Sequence, residues 1–113
     1  METITNYIKA WNAEDATKRK EFLVKSFSEK GRYVDPHIPE PVENLKQMRT
    51  IIETFRERLP HKLNVIEKPE FHNYAFRLYW KMVHNEETLS KGIFVGEFDK
   101  NNKIENLICF IDK

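Results

Sequence analysis

Two side chains in the first third of the chain, Asp35 and Tyr7, are the best candidates for acid–base chemistry, and Asp35 is the stronger of the two. A carboxylate beside an apolar cavity is suited to act as a general base. The alternative is that Asp35, which precedes Pro36, caps its loop by accepting hydrogen bonds from backbone amides. Tyr7 is suited to donate a hydrogen bond to a developing oxyanion, and the alternative is an ordinary helix aromatic with its hydroxyl at the surface.

The histidines are the next candidates, because imidazole titrates near neutral pH. His84 is a candidate acid or base at the end of a predicted strand, and the alternative is an exposed residue beside a turn. His37 follows Asp35 closely, so it is a candidate to assist that carboxylate or to contact a ligand. His61 and His72 lie in turn regions, and we expect both at the surface.

No spacing of histidines or cysteines in this sequence predicts a metal site, and we expect no metal. A glycine-rich phosphate loop, a dinucleotide fingerprint and a Ser-His-Asp arrangement are also missing, so we expect no cofactor. Cys109, the single cysteine, lies in the apolar run Leu107–Ile111. It is predicted to be a buried packing thiol and not a nucleophile.

Length and charge narrow the class of protein. The chain has 113 residues, which predicts a single domain over 1–113, and its formal net charge is +1. The basic run Lys18–Lys20 lies among acidic residues and predicts a solvated helix face, so we expect no nucleic-acid partner. No segment has the length and apolarity of a signal peptide or a membrane span, which predicts a cytoplasmic protein with no membrane contact.

Apolar residues at three- and four-residue spacing predict three helices. The first carries Tyr7 and Trp11 on its buried face. The second begins after the N-cap Asp15 and ends at Gly31. The third carries buried residues at near-heptad spacing and stops at Pro60; these residues are Leu45, Met48, Ile52, Phe55 and Leu59. Between the last two helices we expect a short extended piece, Arg32–Val34, and a proline-rich loop.

The rest of the chain predicts four strands, at Leu63–Glu67, Tyr74–His84, Leu89–Asp99 and Lys103–Asp112. Helices followed by an antiparallel meander indicate an α+β fold with the helices on one side of the sheet. Alternation in the long strand assigns one set of side chains to the helix-covered face. This set comprises Phe76, Leu78, Trp80, Met82 and His84.

The last two strands are apolar on both faces, although helices can cover only one. A soluble monomer rarely exposes such a patch, so we expect a homodimer through the outer face of the sheet. The residues expected at this interface are Tyr79, Ile93, Val95, Ile108 and Phe110.

The order of the elements and three short segments resemble the SnoaL-like and ketosteroid-isomerase-like branch of the NTF2-like superfamily. The segments are Tyr7–Asp15 (Tyr-Ile-Lys-Ala-Trp-Asn-Ala-Glu-Asp), Tyr33–Pro36 (Tyr-Val-Asp-Pro) and Phe98–Ile104 (Phe-Asp-Lys-Asn-Asn-Lys-Ile). The resemblance covers nearly the whole chain. It implies a cone-shaped domain in which three N-terminal helices pack on a curled, mostly antiparallel sheet around a pocket.

The resemblance also implies roles for particular residues. Asp35 matches the general-base aspartate of the isomerases, and Tyr7 matches their oxyanion-hole tyrosine. His84 falls near the histidine that SnoaL-like cyclases place at the end of a strand. Phe94 stands where both groups carry an acid, so the chain departs from their mechanisms at that position.

Three functions remain open from the sequence. The first is acid–base catalysis of an isomerase, cyclase or dehydratase type on a small apolar carbonyl compound. The second is a non-catalytic binding protein for a small apolar ligand, and the third is a dimeric protein-interaction module. For the first two we expect the ligand to contact a common set of residues, namely Trp11, His37, Phe55, Leu78, Trp80, Met82 and Phe94.

Overall fold

A computed structural model describes residues 1–112 of the chain. Three helices and six strands follow one another in the order α1 (Glu2–Asn12), α2 (Ala16–Ser26), β1 (Phe27–Val34), α3 (Leu45–Arg58), β2 (Lys62–Val65), β3 (Glu70–His72), β4 (Ala75–His84), β5 (Glu87–Phe98) and β6 (Ile104–Ile111). Among these residues, no helix is both long enough and apolar enough to cross a membrane.

The strands form one mixed sheet in the order β1-β6-β5-β4-β2, and β3 pairs with β4 beside this path. Within residues 1–112, β1 and β6 pair in parallel, and the other strand pairs are antiparallel. A parallel pair needs a long crossover connection, and here the whole chain from α3 to β5 supplies it. The α+β class and the mostly antiparallel sheet are therefore confirmed.

The core lies between the helices and one face of the sheet. Along β4 the side chains of Phe76, Leu78 and Trp80 are buried, because alternate residues of a strand point to the same face. From α1, Tyr7 and Trp11 pack into the same core. This arrangement buries the apolar stripe of each helix, as its spacing predicts.

Polar caps fix where α2 and α3 begin. The Asp15 carboxylate accepts a hydrogen bond from the Lys18 amide at 3.1 Å, and the Asn44 side chain accepts one from the Gln47 amide at 2.8 Å. Each cap satisfies an amide that has no partner inside its helix. The predicted N-cap at Asp15 is therefore confirmed.

The end of the second helix differs from the prediction. The helix stops at Ser26, and the segment from Phe27 to Gly31 belongs to β1 instead. Phe27 is fully buried and pairs with Ile104 on β6. Pairing with a strand distant in sequence therefore overrides the local helical pattern, which a propensity argument cannot detect.

The basic run on α2 also differs from the prediction, because Arg19 is buried. Its guanidinium donates to both carboxylate oxygens of Glu53 on α3, at 2.9 and 2.6 Å. It also donates to the carbonyls of Ala13 and Glu14, at 2.8 and 2.7 Å. A guanidinium carries five donors, so one side chain ties the α1–α2 connection to α3.

The sequence pattern missed β3, whose three residues are all exposed and carry no alternation. The turns on either side of β4 contain Asn73 and Asn85, both with positive φ, at 53° and 50°. Asparagine tolerates this conformation better than most residues. The predicted turn after β4 therefore does contain an asparagine with positive φ, Asn85. The turn before β6 contains another, Asn102, with a φ of 61°.

Candidate functional site

A cavity of about 310 Å³ lies between the helices and the sheet. Most of the sequence-predicted ligand contacts line it, namely Trp11, His37, Phe55, Trp80, Met82 and Phe94. Its remaining walls come from residues that the sequence did not single out as contacts: Tyr33, Arg58, Leu59, His61, Leu63, Cys109 and Ile111. The volume is within the range of small-molecule sites in proteins.

Asp35 also lines this cavity, and both of its carboxylate oxygens are held. Oδ2 accepts a hydrogen bond from the Tyr33 hydroxyl at 2.5 Å, and Oδ1 accepts one from the His37 amide at 2.7 Å. Asp35 therefore does cap its loop, through Oδ1, as one of the two predicted roles required, and the same carboxylate also lines the cavity. A carboxylate has about four acceptor positions, so two bonds leave capacity for a substrate proton.

The position of Asp35 depends on a short backbone bridge. Tyr33 and Val42 exchange two backbone hydrogen bonds, at 3.1 and 2.8 Å, across the proline-rich loop. This bridge closes the loop directly after β1. Because Tyr33 is fixed on the sheet, the residue two positions later is held at the cavity.

Tyr33 lines the cavity and bonds Asp35, although the sequence did not indicate it as a candidate. Only 1% of it is exposed, and burial raises the pKa of its hydroxyl well above the ordinary value. The hydroxyl therefore stays protonated and donates to Asp35. The signal was present in the spacing, since residues i and i+2 of an extended segment point to the same side.

Tyr7 is buried beside the cavity and is not part of its lining. Its ring meets the Phe94 ring edge to face, with centroids 5.6 Å apart. Burial raises the pKa of its hydroxyl well above the ordinary value, while the nearby Trp11 indole acts in the opposite direction. Within residues 1–112 this hydroxyl has no hydrogen-bond partner. Tyr7 therefore packs against Phe94 and lies outside the cavity lining.

The ring of Phe94, the residue that the family resemblance matches with an acid, forms part of the cavity wall. It also packs against Trp80, with centroids 5.5 Å apart. Trp11, also in the lining, stacks on Phe55 with ring centroids 5.8 Å apart. Two pairs of packed aromatic rings therefore form part of the cavity wall.

Besides Tyr7, two more predicted site residues, His84 and Leu78, lie outside the cavity lining. The ring of His84 donates from Nδ1 to the Pro60 carbonyl at 3.3 Å, and its Nε2 lies 3.3 Å from the Asn85 side chain. The last residues of β4 thus extend past the cavity. Leu78 is buried in the core, where it pairs with Phe94 on the neighbouring strand β5.

His61 is buried, so the expectation of a surface residue is wrong. Its Nδ1 contacts the Leu59 carbonyl at 2.9 Å, and burial lowers the pKa of its imidazole. It lies two residues before Leu63, whose side chain points inward. Strand alternation could therefore have placed His61 inside, but Pro60 was read as the start of an exposed turn.

Cys109 is buried, as its apolar context predicts, and it lines the cavity. Burial raises the pKa of its thiol to about 12, and the nearby Asp35 carboxylate adds to this effect. A thiol with that pKa is not a nucleophile at neutral pH. In the described part of the chain, no group of three histidine, cysteine or acidic residues is placed to hold a metal ion.

Comparison of the sequence with models of protein families and with curated proteins gives no match. Solved structures do match. A candidate isomerase of the SnoaL-like family from Agrobacterium tumefaciens superposes with a TM-score of 0.90 at 25% identity, covering 98% of this chain and 95% of that one. An NTF2-like protein of unknown function from Exiguobacterium superposes with a TM-score of 0.78 at 13% identity, covering 98% of each chain.

A candidate ketosteroid isomerase from Kribbella flavida matches with a TM-score of 0.78 at 13% identity, covering 98% of this chain and 76% of that one. At these identities the comparisons establish architecture, and a shared architecture supports many different reactions. The resemblance inferred from the sequence is confirmed at this level: the chain has the NTF2-like fold, in the form shared by SnoaL-like and ketosteroid-isomerase-like proteins.

Proposed function

We propose that the cavity binds a small carbonyl compound and that Asp35 removes a proton from the carbon next to the carbonyl. One observation supports this most directly. In the part of the chain that the structure describes, Asp35 is the single carboxylate among the cavity-lining residues, and the walls around it are mostly apolar. A base held in such surroundings is suited to abstract a carbon-bound proton.

The step is balanced without a further reactant. The proton moves from the carbon to an Asp35 oxygen, and the electron pair of the broken C–H bond delocalises onto the carbonyl oxygen as an enolate. In a substrate with a carbon–carbon double bond beside the acidic carbon, the enolate is conjugated with that bond. Return of the proton to the far carbon of the double bond, as the electron pair moves back from the oxygen, completes an isomerisation. The Tyr33 hydroxyl keeps the Asp35 carboxylate oriented while this happens, because it is bonded to Oδ2 and cannot ionise at neutral pH.

The enolate oxygen needs a hydrogen-bond donor. Trp11 and Trp80 line the cavity, and their indole N–H groups have no partner among the described residues. The Trp80 indole is the more suitable donor on this proposal, because the Trp11 indole lies close enough to the Tyr7 hydroxyl to lower its pKa against the larger effect of burial. Tyr7 is less suitable than the sequence predicts, because the Phe94 ring lies at the cavity wall beside it. The description of two structural neighbours as isomerases supports the same reaction class.

The test is exchange of the protons next to the carbonyl of 1-tetralone in deuterium oxide, followed by proton NMR. Wild-type protein should accelerate this exchange, and Asp35→Asn should reduce the acceleration by a factor of about 10² to 10⁴, the usual contribution of a general base. Asp112→Asn, which removes an exposed carboxylate outside the cavity, is the matched control and should exchange like wild type. Equal exchange by wild type and Asp35→Asn would reject Asp35 as the base.

A non-catalytic binding protein is the second candidate, and Phe94 is the observation that favours it. A phenyl ring replaces the acid that would stabilise an enolate, and it contributes apolar wall instead. On this alternative, wild type and Asp35→Asn bind 1-tetralone with similar affinity and neither accelerates exchange. Isothermal titration beside the exchange measurement separates the two functions.

A further inference from the structure

The cavity walls contain one buried hydrogen-bond acceptor without a partner, which the proposed proton transfer does not use. His61 lines the cavity, and only 2% of it is exposed. Its Nε2 has no hydrogen-bond partner within residues 1–112. Most buried polar atoms in proteins are paired, so an unpaired one at a cavity needs an explanation.

The hydrogen bond at Nδ1, the other ring nitrogen, determines whether Nε2 carries a proton. Nδ1 lies 2.9 Å from the Leu59 carbonyl, which can only accept, so Nδ1 carries the proton. Burial and the nearby charges of Arg56 and His84 favour the neutral ring, against the opposing effect of the Leu59 bond. A neutral imidazole protonated at Nδ1 has a bare lone pair at Nε2. His61 therefore offers an acceptor and not a donor.

The backbone around His61 is held firmly, so the acceptor has a fixed place. Arg56 donates from its guanidinium to the carbonyl oxygens of His61 and Trp11, which ties this segment to both α3 and α1. The Trp11 and His61 rings are neighbours, with centroids 6.1 Å apart. A purely apolar ligand would leave the acceptor unpaired in this rigid setting, and so would an ether or a second carbonyl.

We infer that the ligand of this cavity carries a hydrogen-bond donor, a hydroxyl or N–H group, that is bonded by Nε2 of His61. This inference rests on the proposed function for the cavity and for the carbonyl, and it adds a second recognised group. The substrate class becomes a hydroxylated or amino-substituted carbonyl compound. The donor group distinguishes it from the apolar carbonyl compound that the sequence favours.

The test uses two probes of the same skeleton, 7-hydroxy-1-tetralone and 7-methoxy-1-tetralone, which differ in the ability to donate. Isothermal titration against wild type should show the hydroxy probe binding about five- to tenfold more tightly, the usual net effect of one hydrogen bond. In His61→Phe this preference should vanish, because the ring remains and the acceptor is lost. His72→Phe, which makes the same substitution at an exposed histidine outside the cavity, is the matched control and should keep the preference.

A second measurement on wild-type protein does not depend on the folding of a variant. The nitrogen NMR signal of ¹⁵N-labelled His61 reports whether the Nε2 lone pair accepts a hydrogen bond. Addition of the hydroxy probe should shift this signal toward the bonded position, and the methoxy probe should leave it unchanged. If both probes bind equally well and neither moves the signal, the inference is wrong. If the signal already has its bonded position without a probe, an enclosed water satisfies His61, and this also overturns the inference.

Failure of this inference can be told apart from failure of the proposed function. If wild type shows no preference for the hydroxy probe while its exchange is intact and depends on Asp35, the role of His61 is rejected and the proton transfer stands. A His61-dependent preference without any exchange would support the recognition of a donor and reject the catalysis. The two readouts, affinity and exchange, are independent because Asp35 and His61 are changed separately.

Discussion

Tyr33 and Asp35 form a hydrogen-bonded pair at the cavity, in which the tyrosine hydroxyl donates to Oδ2 of the carboxylate at 2.5 Å. Tyr33 is buried in the sheet and Asp35 is only partly buried. A rigid donor therefore positions a carboxylate that stands at the end of a strand. Together with the His37 amide at Oδ1, this pair fixes the orientation of the Asp35 carboxylate.

We expect Tyr33→Phe to reduce exchange of the 1-tetralone protons by roughly tenfold, since a hydrogen bond to a charged group contributes about 1.5–3 kcal/mol and part of that acts on orientation. The ring is kept, so packing changes little. The exchange rate measured by proton NMR checks this. Tyr74→Phe, which removes the hydroxyl of a tyrosine on the surface, should behave like wild type.

The ion pair between Arg19 and Glu53 should contribute strongly to stability. Arg19→Met breaks two charge-assisted bonds and strips two backbone carbonyls of their donor, so we expect the free energy of unfolding to fall by about 2–4 kcal/mol. Urea denaturation provides the measurement. Lys18→Met is the control on the same helix, because the pair that Lys18 makes is exposed and should contribute less than about 1 kcal/mol. Equal losses in the two variants would contradict this account of α2.

Stability should fall in mildly acidic solution because of His61. Its pKa is lowered in the folded protein by burial, so unfolding is accompanied by proton uptake. The neutral ring stabilises the fold fully above the usual histidine pKa near 6.5, and this stability is lost as pH falls below that value toward the folded-state pKa. Urea denaturation at pH 5.5 and 7.5 measures the difference. His61→Phe should show a smaller pH dependence, whereas His72→Gln, at an exposed position, should retain that of wild type.

We propose that two copies of the chain associate through the outer face of the sheet. Val95 and Phe110 are exposed there by 37% and 58%, and Ile108 pairs with Val95 between them. The double variant Val95→Glu with Ile108→Glu should sediment as a monomer if wild type sediments as a dimer. Val24→Glu, at an exposed position on α2, should leave the assembly unchanged. A dimer that survives the double substitution would place the interface elsewhere.

The chain should be a poor isomerase of a 5-ene-3-ketosteroid. Such a reaction uses a neutral carboxylic acid as one of two donors, and here Phe94 offers no proton. Loss of one donor costs about a hundred- to a thousandfold in rate. Phe94→Asp should therefore raise any weak activity by orders of magnitude, and Phe94→Leu, which removes the ring without adding an acid, should not. A spectrophotometric assay of the conjugated product measures this, and thermal melting checks that each variant folds.

Patterns formed by residues close together in the sequence were enough to predict much of the fold. Asp15 and Asn44 begin their helices through their own side chains, and Pro60 follows the end of α3. Alternation along β4 identified the buried face, and apolar residues at three- and four-residue spacing identified α1. These features depend on neighbours within a few positions, so the sequence contains them directly.

Contacts between distant segments decided the rest. Phe27 lies in a strand because Ile104 pairs with it, and Arg19 is buried because Glu53 lies opposite on another helix. The cavity shows the same division between local and distant effects. The sequence by itself determined that Asp35 follows a short extended segment and precedes a proline, and that Phe94 is not an acid. Only the tertiary structure decided that Tyr33 holds Asp35, that Tyr7 packs against Phe94 outside the cavity lining and that His61 lines the wall, because curvature of the sheet and packing of the helices determine which side chains meet.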